Sequence, residues 1–302
     1  MDETQSAASS FEAQRSHLRA VAYRMLGSLD EADDAVQETW LRLTRSDVSD
    51  VQNLRAWLTT VTARICLDML RARATRREDP LDVHLPDPVV TSARAEPDLD
   101  ESPEPHALMA DSVGLALLVV LDTLSPTERL AFVLHDVFAV PFDEIGPMLD
   151  RSPAAAKQLA SRARRRLREN RSTATVPRRR HREVVDAFLA ASREGDFDRL
   201  VAVLHPDVVL RAESGGAMGP SQLLHGATTV AQQALRFTAM ARLAHPVLVN
   251  GAPGLLAAAN GKALALLSVA VQDGRIVEID IIADPVRLAR LFDEEQVARL
   301  TR

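Results

Sequence analysis

The chain has 302 residues, of which 46% are hydrophobic and 4% aromatic, and its formal net charge is -6. This length favours two or three domains. No apolar run approaches the roughly 18 residues of a membrane span, and "MDETQSAASSFEAQ" lacks the basic start and apolar stretch of a signal peptide. We therefore expect a soluble cytoplasmic protein with no membrane partner.

The first predicted unit, residues 11–77, is a small helix bundle. A helical pattern of apolar residues ends at Gly27, a good helix stop. The next two stretches, "SLDEADDAVQETWLRL" and "NLRAWLTTVTARICLDMLRARATRR", each carry one apolar stripe at helical spacing.

The second helix of this bundle is acidic on one side. Asp30, Asp34 and Glu38 follow one another at i, i+4 spacing, with Gln37 beside them. The helix macrodipole explains acids in the first turn but not Glu38. The stripe therefore indicates a basic partner surface.

The third helix carries the opposite charge, because arginines accumulate toward its end. Arg64, Arg71 and Arg73 are the candidates for contacts to nucleic acid. One small bundle with an acidic and a basic face is typical of an adaptor between a protein and a nucleic acid.

Residues 78–111 form a predicted linker. They contain six prolines, and their ten acidic residues are accompanied by a single basic one, Arg94. We expect no continuous helix here, and a mobile acidic segment.

Helical periodicity returns over residues 112–170, in short helices separated at Pro126, Pro141 and Pro153. Ser152 can cap the last helix, and a short helix precedes it by only a few residues. This arrangement predicts a helix-turn-helix whose second helix lies in the DNA major groove.

The second helix of this motif is strongly basic. From 151 to 182 there are twelve Lys or Arg residues and one acid. The alternative is a charged face that is simply solvated. However, the charge is almost entirely positive, so neighbouring arginines repel one another, and this favours a polyanionic partner that relieves the repulsion. Four side chains are placed to read base edges, and arginines further along supply phosphate contacts. The predicted DNA-binding residues are Lys157, Gln158, Ser161, Arg162, Arg165 and Arg166.

A basic connector at 171–182 leads to a mixed region at 183–284. Helical segments such as "REVVDAFLAASREG" are followed by strand-like runs, and Asp273-Gly274 between two apolar runs indicates a hairpin. Helices followed by an antiparallel sheet predict an α+β domain. Residues 285–302 are predicted to form a C-terminal tail helix.

The chain resembles the extracytoplasmic-function sigma factors of bacterial RNA polymerase. "DEADDAVQETWLRL" is similar to the region that docks on the polymerase clamp, and "NLRAWLTTVTARICLDMLR" to the region that reads the downstream promoter box. "LSPTERLAFVLHDVFAVPFDEIGPML" with "AAAKQLASRARRRL" is similar to the domain that reads the upstream box. The resemblance implies that Asp30, Asp34, Gln37 and Glu38 bind core polymerase.

The resemblance extends to one subgroup that carries a C-terminal SnoaL-like domain, a cone-shaped α+β fold. "HLPDPVV" at 84–90 is similar to that subgroup's linker motif, and 250–254 match its NGxPG motif, whereas "ESGGAM" is a degenerate form of a third motif. Prolines lower the entropy lost on docking, and glycines permit close backbone approach. An ordinary strand-connecting turn is the alternative for NGxPG. The expected regulatory contact comprises Leu85, Pro86, Asp87, Pro88, Asn250, Gly251, Pro253 and Gly254.

A catalytic C-terminal domain is the competing interpretation. His205, Asp207, Glu213 and Asp280 could supply acid and base groups to a cavity. We interpret "LHPDV" instead as a turn stiffened by Pro206, and the only tyrosine, Tyr23, lies in the first unit. We expect no enzyme activity, cofactor or metal.

The predicted fold class is multidomain, with two all-α sigma domains and a C-terminal α+β SnoaL-like cone domain. The predicted function is promoter-specific transcription initiation, regulated in cis by the C-terminal domain. The partners implied are the clamp and flap of core RNA polymerase and both duplex and melted promoter DNA, with a monomer in the free state. The alternative is a helix-turn-helix regulator fused to a ligand-binding or catalytic domain.

Overall fold

The computed structural model describes residues 3–46, 51, 53–76, 85–93, 115–170, 176–215 and 220–301. The chain divides into two compact units. The first contains residues 1–80, 103–109 and 118–171, and the second contains 81–102, 110–117 and 172–302.

Three long helices begin the first unit: α1 (Glu3–Leu26), α2 (Leu29–Arg45) and α3 (Leu54–Arg76). Gly27 follows α1 with φ of 73°, a conformation that glycine adopts without strain, and Ser28 caps α2. Between α2 and α3 the buried hydroxyls of Thr39 and Thr62 are 2.9 Å apart. The apolar core joins all three helices, and its buried members are Phe11, Leu18, Val36, Leu43 and Leu58.

Residues 115–170 form three short helices, a π-helical turn and one longer final helix. They are α4 (Leu115–Asp122), α5 (Pro126–Phe132) with a π-helical turn at Val133–Val137, α6 (Phe142–Met148) and α7 (Pro153–Asn170). Ser125 and Glu128 form a capping box at the start of α5, which explains why a helix begins at Pro126.

The turn between α6 and α7 depends on Gly146. A Cβ atom at this position would lie 2.9 Å from the carbonyl oxygen of Arg151 and 3.0 Å from the nitrogen of Pro153. The backbone N–H of Arg151 donates to the carbonyl of Gly146, and Ser152 then caps α7. These contacts fix the tight turn between α6 and α7, as the predicted helix-turn-helix requires.

The second unit is built on a seven-stranded sheet with strand order β1-β4-β5-β6-β7-β2-β3. All pairings are antiparallel except that of β2 with β7, which is parallel. The strands are β1 (Val90–Ser92), β2 (Leu204–Glu213), β3 (Gln222–His225), β4 (Ala244–Val249), β5 (Ala252–Ala259), β6 (Lys262–Gln272) and β7 (Arg275–Ile282).

Three two-residue turns connect β4 through β7. Both residues of each turn have positive φ, as type I′ hairpins require: Asn250-Gly251, Asn260-Gly261 and Asp273-Gly274. The hairpin predicted at Asp273-Gly274 is confirmed. The glycine in each pair adopts its conformation without steric cost.

Helices cover both faces of the central strands. The interior of β5 is buried at every position, which indicates cover on both sides. Helix α8 packs on β5 and β6, and α10 packs on β2 and β3. Helix α12 packs on β6, and α13 packs on β1, β4, β5 and β6. The helices are α8 (Arg178–Glu194), α9 (Phe197–Val203), α10 (Ala227–Arg236), α11 (Thr238–Ala241), α12 (Pro285–Leu291) and α13 (Glu294–Thr301).

The structure differs from the sequence-based expectations in three places. "LHPDV" is not a turn, because residues 204–208 lie in β2 and the pairing with β7 shifts register between Leu204 and Val209. The sheet is mixed rather than antiparallel. The tail beyond 284 forms two helices that pack on the sheet, and residues such as Leu288 and Val297 are buried in them.

Candidate functional site

The acidic face of α2 is exposed. Asp30, Asp34 and Gln37 are exposed and Glu38 is half-buried, while the buried residues of α2 form the opposite stripe. The carboxylate of Glu38 accepts a hydrogen bond of 3.0 Å from Arg42 on the same helix. The four predicted polymerase-binding residues thus share one face that the packing of the bundle does not use.

The three candidate arginines of α3 differ in their surroundings. Arg64 is exposed, and its guanidinium donates to the carbonyl oxygen of Pro147 at 3.0 Å. Arg71 is exposed and lies 3.5 Å from the carboxylate of Asp68. Arg73 is half-buried and bonds to the carbonyl of Leu26 and to Glu31, so it joins α3 to the start of α2.

The basic face of α7 separates cleanly from its buried stripe. Ala156, Ala160, Ala163 and Leu167 are buried against the other helices. The six predicted DNA-binding residues of this helix are all exposed: Lys157, Gln158, Ser161, Arg162, Arg165 and Arg166.

Two arginines of α7 make ion pairs within the unit. Arg166 donates to the carboxylate of Glu128 at 2.8 Å, and the side chain of Glu128 is only 6% exposed. Arg164 donates to Asp136 at 2.7 Å. A DNA phosphate at Arg166 must therefore compete with a largely buried carboxylate, whereas Lys157, Gln158 and Arg162 lie nearer the start of the helix.

Within the second unit, residues 85–93 of the linker are ordered against the sheet. Strand β1 pairs with β4, from Val90 opposite Val249 to Ser92 opposite Val247. Just before it, the N–H of Val89 donates to Oδ1 of Asn250 at 2.8 Å, and the N–H of Asn250 donates to the carbonyl of Val89 at 2.7 Å. The linker thus adds an edge strand to the sheet.

A buried ionic network holds the start of this segment. The Arg287 guanidinium, 3% exposed, donates to Glu213, to the carbonyl of Leu85 and to the carboxylate of Asp87, the last at 2.8 Å. Glu213 also accepts the N–H of Leu85 at 2.9 Å. Leu85 and Val89 are buried, as are Pro86 and Pro88.

The two halves of the NGxPG segment, residues 250–254, have different structural roles. Asn250 and Gly251 form the β4–β5 turn, and Asn250 alone of the segment makes the hydrogen bonds to the linker described above. Pro253 and Gly254 lie inside β5. A Cβ atom on Gly254 would lie 2.6 Å from the carbonyl oxygen of Leu267, so this glycine permits close packing of β5 on β6.

Comparisons with known proteins cover nearly the whole chain. The family description Sigma-70 region 2 matches residues 11–76, and Sigma-70, region 4 matches residues 114–167. The probable ECF RNA polymerase sigma factor SigI of Mycobacterium tuberculosis (strain CDC 1551 / Oshkosh) is 34% identical over 293 residues, which cover 94% of this chain and 95% of SigI. The chain belongs to the extracytoplasmic-function (ECF) sigma factors of RNA polymerase.

A second relative extends the comparison to three dimensions. The ECF RNA polymerase sigma factor SigJ of Mycobacterium tuberculosis (strain ATCC 25618 / H37Rv) is 46% identical over 209 residues, or 69% of this chain and 65% of SigJ. The crystal structure of SigJ matches with a TM-score of 0.73 and 37% identity, over 93% of this chain and 97% of that chain. The predicted fold class, two helical sigma domains with an α+β cone domain, is confirmed.

As a sigma factor, the chain binds core RNA polymerase and directs transcription from promoter DNA. None of the helices in the described ranges combines the length and the apolar character needed to cross a membrane.

The acid-base candidates in the C-terminal unit of this sigma factor do not form one site. Glu213 is committed to Arg287 and the linker. His205 accepts the N–H of Asp207 at 3.1 Å, and Asp207 is exposed. Asp280 is 2% exposed, but it lies between Ile279 and Ile281, which line the interior cavity, so its side chain is on the opposite face of β7.

Asp280 belongs to a buried ion cluster on that face. Arg211 bonds to Glu278 and, at 3.1 Å, to Asp280. Burial, reinforced by the carboxylate of Glu278 and opposed by the Arg211 guanidinium, raises the pKa of the Asp280 carboxyl to about 7.

No local sequence pattern identifies Arg287 or the contact of Glu213 with the linker. Arg287 stands about 200 residues from its linker partner Asp87, so no local spacing relates the two. The sequence offers one relevant signal, the pair Asp284-Pro285, which is typical of a helix start. It places Arg287 in the first turn of that helix but does not indicate that its side chain is buried.

We predict that replacing Asp280 by Asn reduces the pH dependence of the C-terminal unit's stability. The folded-state pKa of about 7 lies above the unfolded value of about 3.9. The folded state therefore binds more protons between these values, and the free energy of unfolding falls as pH rises from about 4 to about 7. The Asp280→Asn protein should show a smaller fall. Urea unfolding at several pH values, followed by far-UV circular dichroism, measures it.

Asp273→Asn is the matched control, because Asp273 is exposed in a turn where Asn tolerates the positive φ. Both tryptophans, Trp40 and Trp57, lie in the first unit, so their fluorescence follows that unit separately. Equal pH slopes for Asp280→Asn and the unchanged protein would contradict the prediction.

Proposed function

We propose that this sigma factor docks on the polymerase clamp through α2, reads promoter DNA through α3 and α7, and is regulated in cis by its C-terminal unit. The observation that carries the regulatory part is the addition of linker residues 90–92 to the sheet of that unit as an edge strand. Since polymerase and promoter DNA are its partners, we infer that it acts in the cytoplasm. The flap contact and the monomeric free state stay predictions.

The clamp assignment rests on the exposed acidic face of α2. Asp30, Asp34 and Gln37 are exposed four or three residues apart, and Glu38 extends the stripe by one further turn. The buried face of α2 is used by the bundle core, so the acidic face can meet a basic surface without unfolding the bundle. Complementary charge across such a contact speeds association and selects the partner.

The promoter assignment rests on the division of α7. Its exposed face begins with Lys157 and Gln158 in the first two turns, where a recognition helix reaches base edges. Arginine and glutamine side chains pair with guanine and adenine edges in the major groove. Arg165, which follows on the same exposed face, supplies phosphate affinity, and Arg64 and Arg71 of α3 offer a second exposed basic surface.

The regulatory assignment follows from chain length. With 85–93 docked, only residues 77–84 connect α3 to the docked segment, a span of at most about 30 Å. Docking therefore restricts how far α3 can move from the sheet, and a tethered domain achieves this without tight intrinsic affinity.

A catalytic role for the C-terminal unit has little support in the geometry. Among the described residues, those that line its interior cavity include no Asp, Glu, His, Lys or Arg. His205 is half-buried and accepts the N–H of Asp207, and Asp207 is exposed. Glu213 is engaged with the linker, and Asp280 lies on the other side of the sheet. We therefore infer a regulatory and not an enzymatic domain.

We predict that Asp34→Lys with Glu38→Lys abolishes binding to core polymerase. Reversing two charges on the acidic face places like charges against a basic partner surface, while the bundle core is untouched. Co-purification with core polymerase should fall at least tenfold, and helical circular dichroism should be unchanged. Glu12→Lys is the control, because it removes an exposed ion pair with Arg15 on another helix of the bundle. Undiminished binding of the double variant would refute the clamp assignment.

We predict that Lys157→Ala and Gln158→Ala change base preference, whereas Arg165→Ala weakens binding to all sequences. A lost base contact costs about 1–3 kcal/mol of discrimination at one position. A lost phosphate contact reduces the salt slope by about one unit. Binding of randomised promoter duplexes at several salt concentrations, together with core polymerase, separates the two effects. Unaltered base preference in both alanine variants at 157 and 158 would show that α7 does not read the promoter as proposed.

We predict that Asn250→Gly loosens the linker and alters transcription. Glycine retains the positive φ of the turn but removes the Oδ1 acceptor of the Val89 N–H, and a buried unpaired N–H costs about 1–3 kcal/mol. Amide exchange at Val89–Ser92 should accelerate about tenfold or more, and promoter activity with core polymerase should change in step. Asn250→Asp keeps an acceptor and should behave like the unchanged chain.

Asn260→Gly is the matched control, since Asn260 begins the same type of turn between β5 and β6 and is exposed. It should affect neither exchange of the linker amides nor transcription. Faster linker exchange in Asn250→Gly with unchanged transcription would refute regulation through the docked linker.

A further inference from the structure

An apolar cavity of about 110 Å³ lies inside the C-terminal unit. Its walls come from helices α8, α10 and α11 and from the strands β2 to β7. Protein interiors are normally close-packed, and a wall built only for stability would carry larger side chains. Seven of the lining residues are alanines: Ala212, Ala234, Ala241, Ala244, Ala257, Ala265 and Ala283.

One polar atom in this wall has no partner. Ser192 on α8 is 4% exposed, and its Oγ makes no hydrogen bond within the protein. A serine inside a helix usually bonds its hydroxyl to the carbonyl four residues earlier, and buried hydroxyls without a partner are uncommon. The hydroxyl of Ser192 is therefore available to a molecule in the cavity.

Two amides add further hydrogen-bonding capacity. Nε2 of Gln233 donates to Oε1 of Gln222 at 3.0 Å, which leaves the amide N–H groups of Gln222 and the carbonyl of Gln233 able to bond a guest. Both glutamines are half-buried, as are Phe237 and Met240. These partly exposed lining residues mark the mouth of the cavity, beside the short helix α11.

From these observations we infer that the cavity binds an uncharged, mainly apolar small molecule with one hydroxyl or carbonyl group directed at Ser192. Charge is excluded because the described lining offers no ionic partner, and burying an unpaired charge is costly. A cavity of about 150 Å³ lined by apolar side chains accepts benzene. At about 110 Å³ this cavity encloses about four or five non-hydrogen atoms, and a guest of about six or seven such atoms extends into the mouth.

The wall is apolar apart from serines 192 and 214 and the two glutamines. A guest with a hydrocarbon body and one polar end matches this distribution.

The cavity shares a strand end with the linker dock. Ala212 and Ser214 line the cavity, and Glu213 between them points to the other side, where it accepts the N–H of Leu85. A guest that displaces Ala212 or Ser214 therefore also shifts Glu213, which bonds the linker at Leu85. This consequence rests on the proposed cis-regulation, whereas the binding site itself does not.

Titration of the full chain with phenol, and with benzene as a probe lacking the hydroxyl, tests the site. Methionine methyl NMR reports the location, because Met240 lines the cavity while Met25 and Met148 are buried in the first unit. Phenol should shift the Met240 methyl signal with a dissociation constant of about 1 mM or tighter. The signals of Met25 and Met148 should not move.

Two kinds of variant define the contacts. Ser192→Ala should weaken phenol about three- to tenfold and leave benzene unchanged, as expected for one neutral hydrogen bond. Ala234→Leu fills the cavity from α10 and should abolish binding of both probes, and Ala241→Leu does so from α11 if the first variant fails to fold. Ala202→Leu, exposed on α9, is the control.

A Met240 signal that does not respond to phenol, or that responds equally in Ala234→Leu and Ala241→Leu, overturns the proposed site. Equal phenol affinity in Ser192→Ala overturns the role of the hydroxyl. The coupling to the linker is tested by amide exchange at Val89–Ser92, measured at a phenol concentration that saturates the Met240 methyl shift. A change in the exchange rate on adding phenol supports the coupling, and an unchanged rate overturns it. Because binding is detected without transcription, its failure is distinguishable from failure of the proposed regulation.

Discussion

A single buried guanidinium, that of Arg287, connects three segments that are far apart in the chain. It joins helix α12 to the end of β2 at Glu213 and to the linker at Leu85 and Asp87. Removing one partner of a buried ion pair typically costs about 3–5 kcal/mol, because the other charge remains unpaired. Such a network adds less to stability than its contacts suggest, because burying the charges offsets much of their attraction.

The edge strand depends on this network and adds a different kind of contact. Strand β1 and Val89 bind through backbone hydrogen bonds to β4 and to Asn250, and a backbone ladder reads little sequence by itself. Specificity must therefore come from the residues just before it, where Leu85 is buried and Asp87 reaches Arg287. The Arg287 contacts at Leu85 and Asp87 and the strand pairing at 90–92 thus hold the two ends of one linker segment.

The sequence predicted the features that local chemistry determines. Helical periodicity located α2, α3 and α7, the Ser152 cap marked the recognition helix, and Asp273-Gly274 identified a hairpin. It did not predict features that depend on distant partners. The segment with Pro206 read as a turn because its pairing with β7 is invisible locally, and Asp280 was a cavity candidate because its face of the sheet could not be known. Arg287 cannot be told from an exposed arginine by its neighbours in the sequence, because all of its partners are distant in the chain.

The arginines of α3 and α7, the helices proposed to contact DNA, also hold the first unit together, and this limits what each arginine can contribute to recognition. Arg73 is committed to Glu31, and Arg166 to the largely buried carboxylate of Glu128. A phosphate can recruit Arg166 only by displacing that carboxylate or by adding to its bonds, so its net contribution to affinity is reduced. The start of α7 carries no such constraint at Lys157 and Gln158, for which the structure shows exposed side chains. In the proposed promoter complex, base recognition is therefore concentrated at the start of α7, where the helix is least engaged with its own domain.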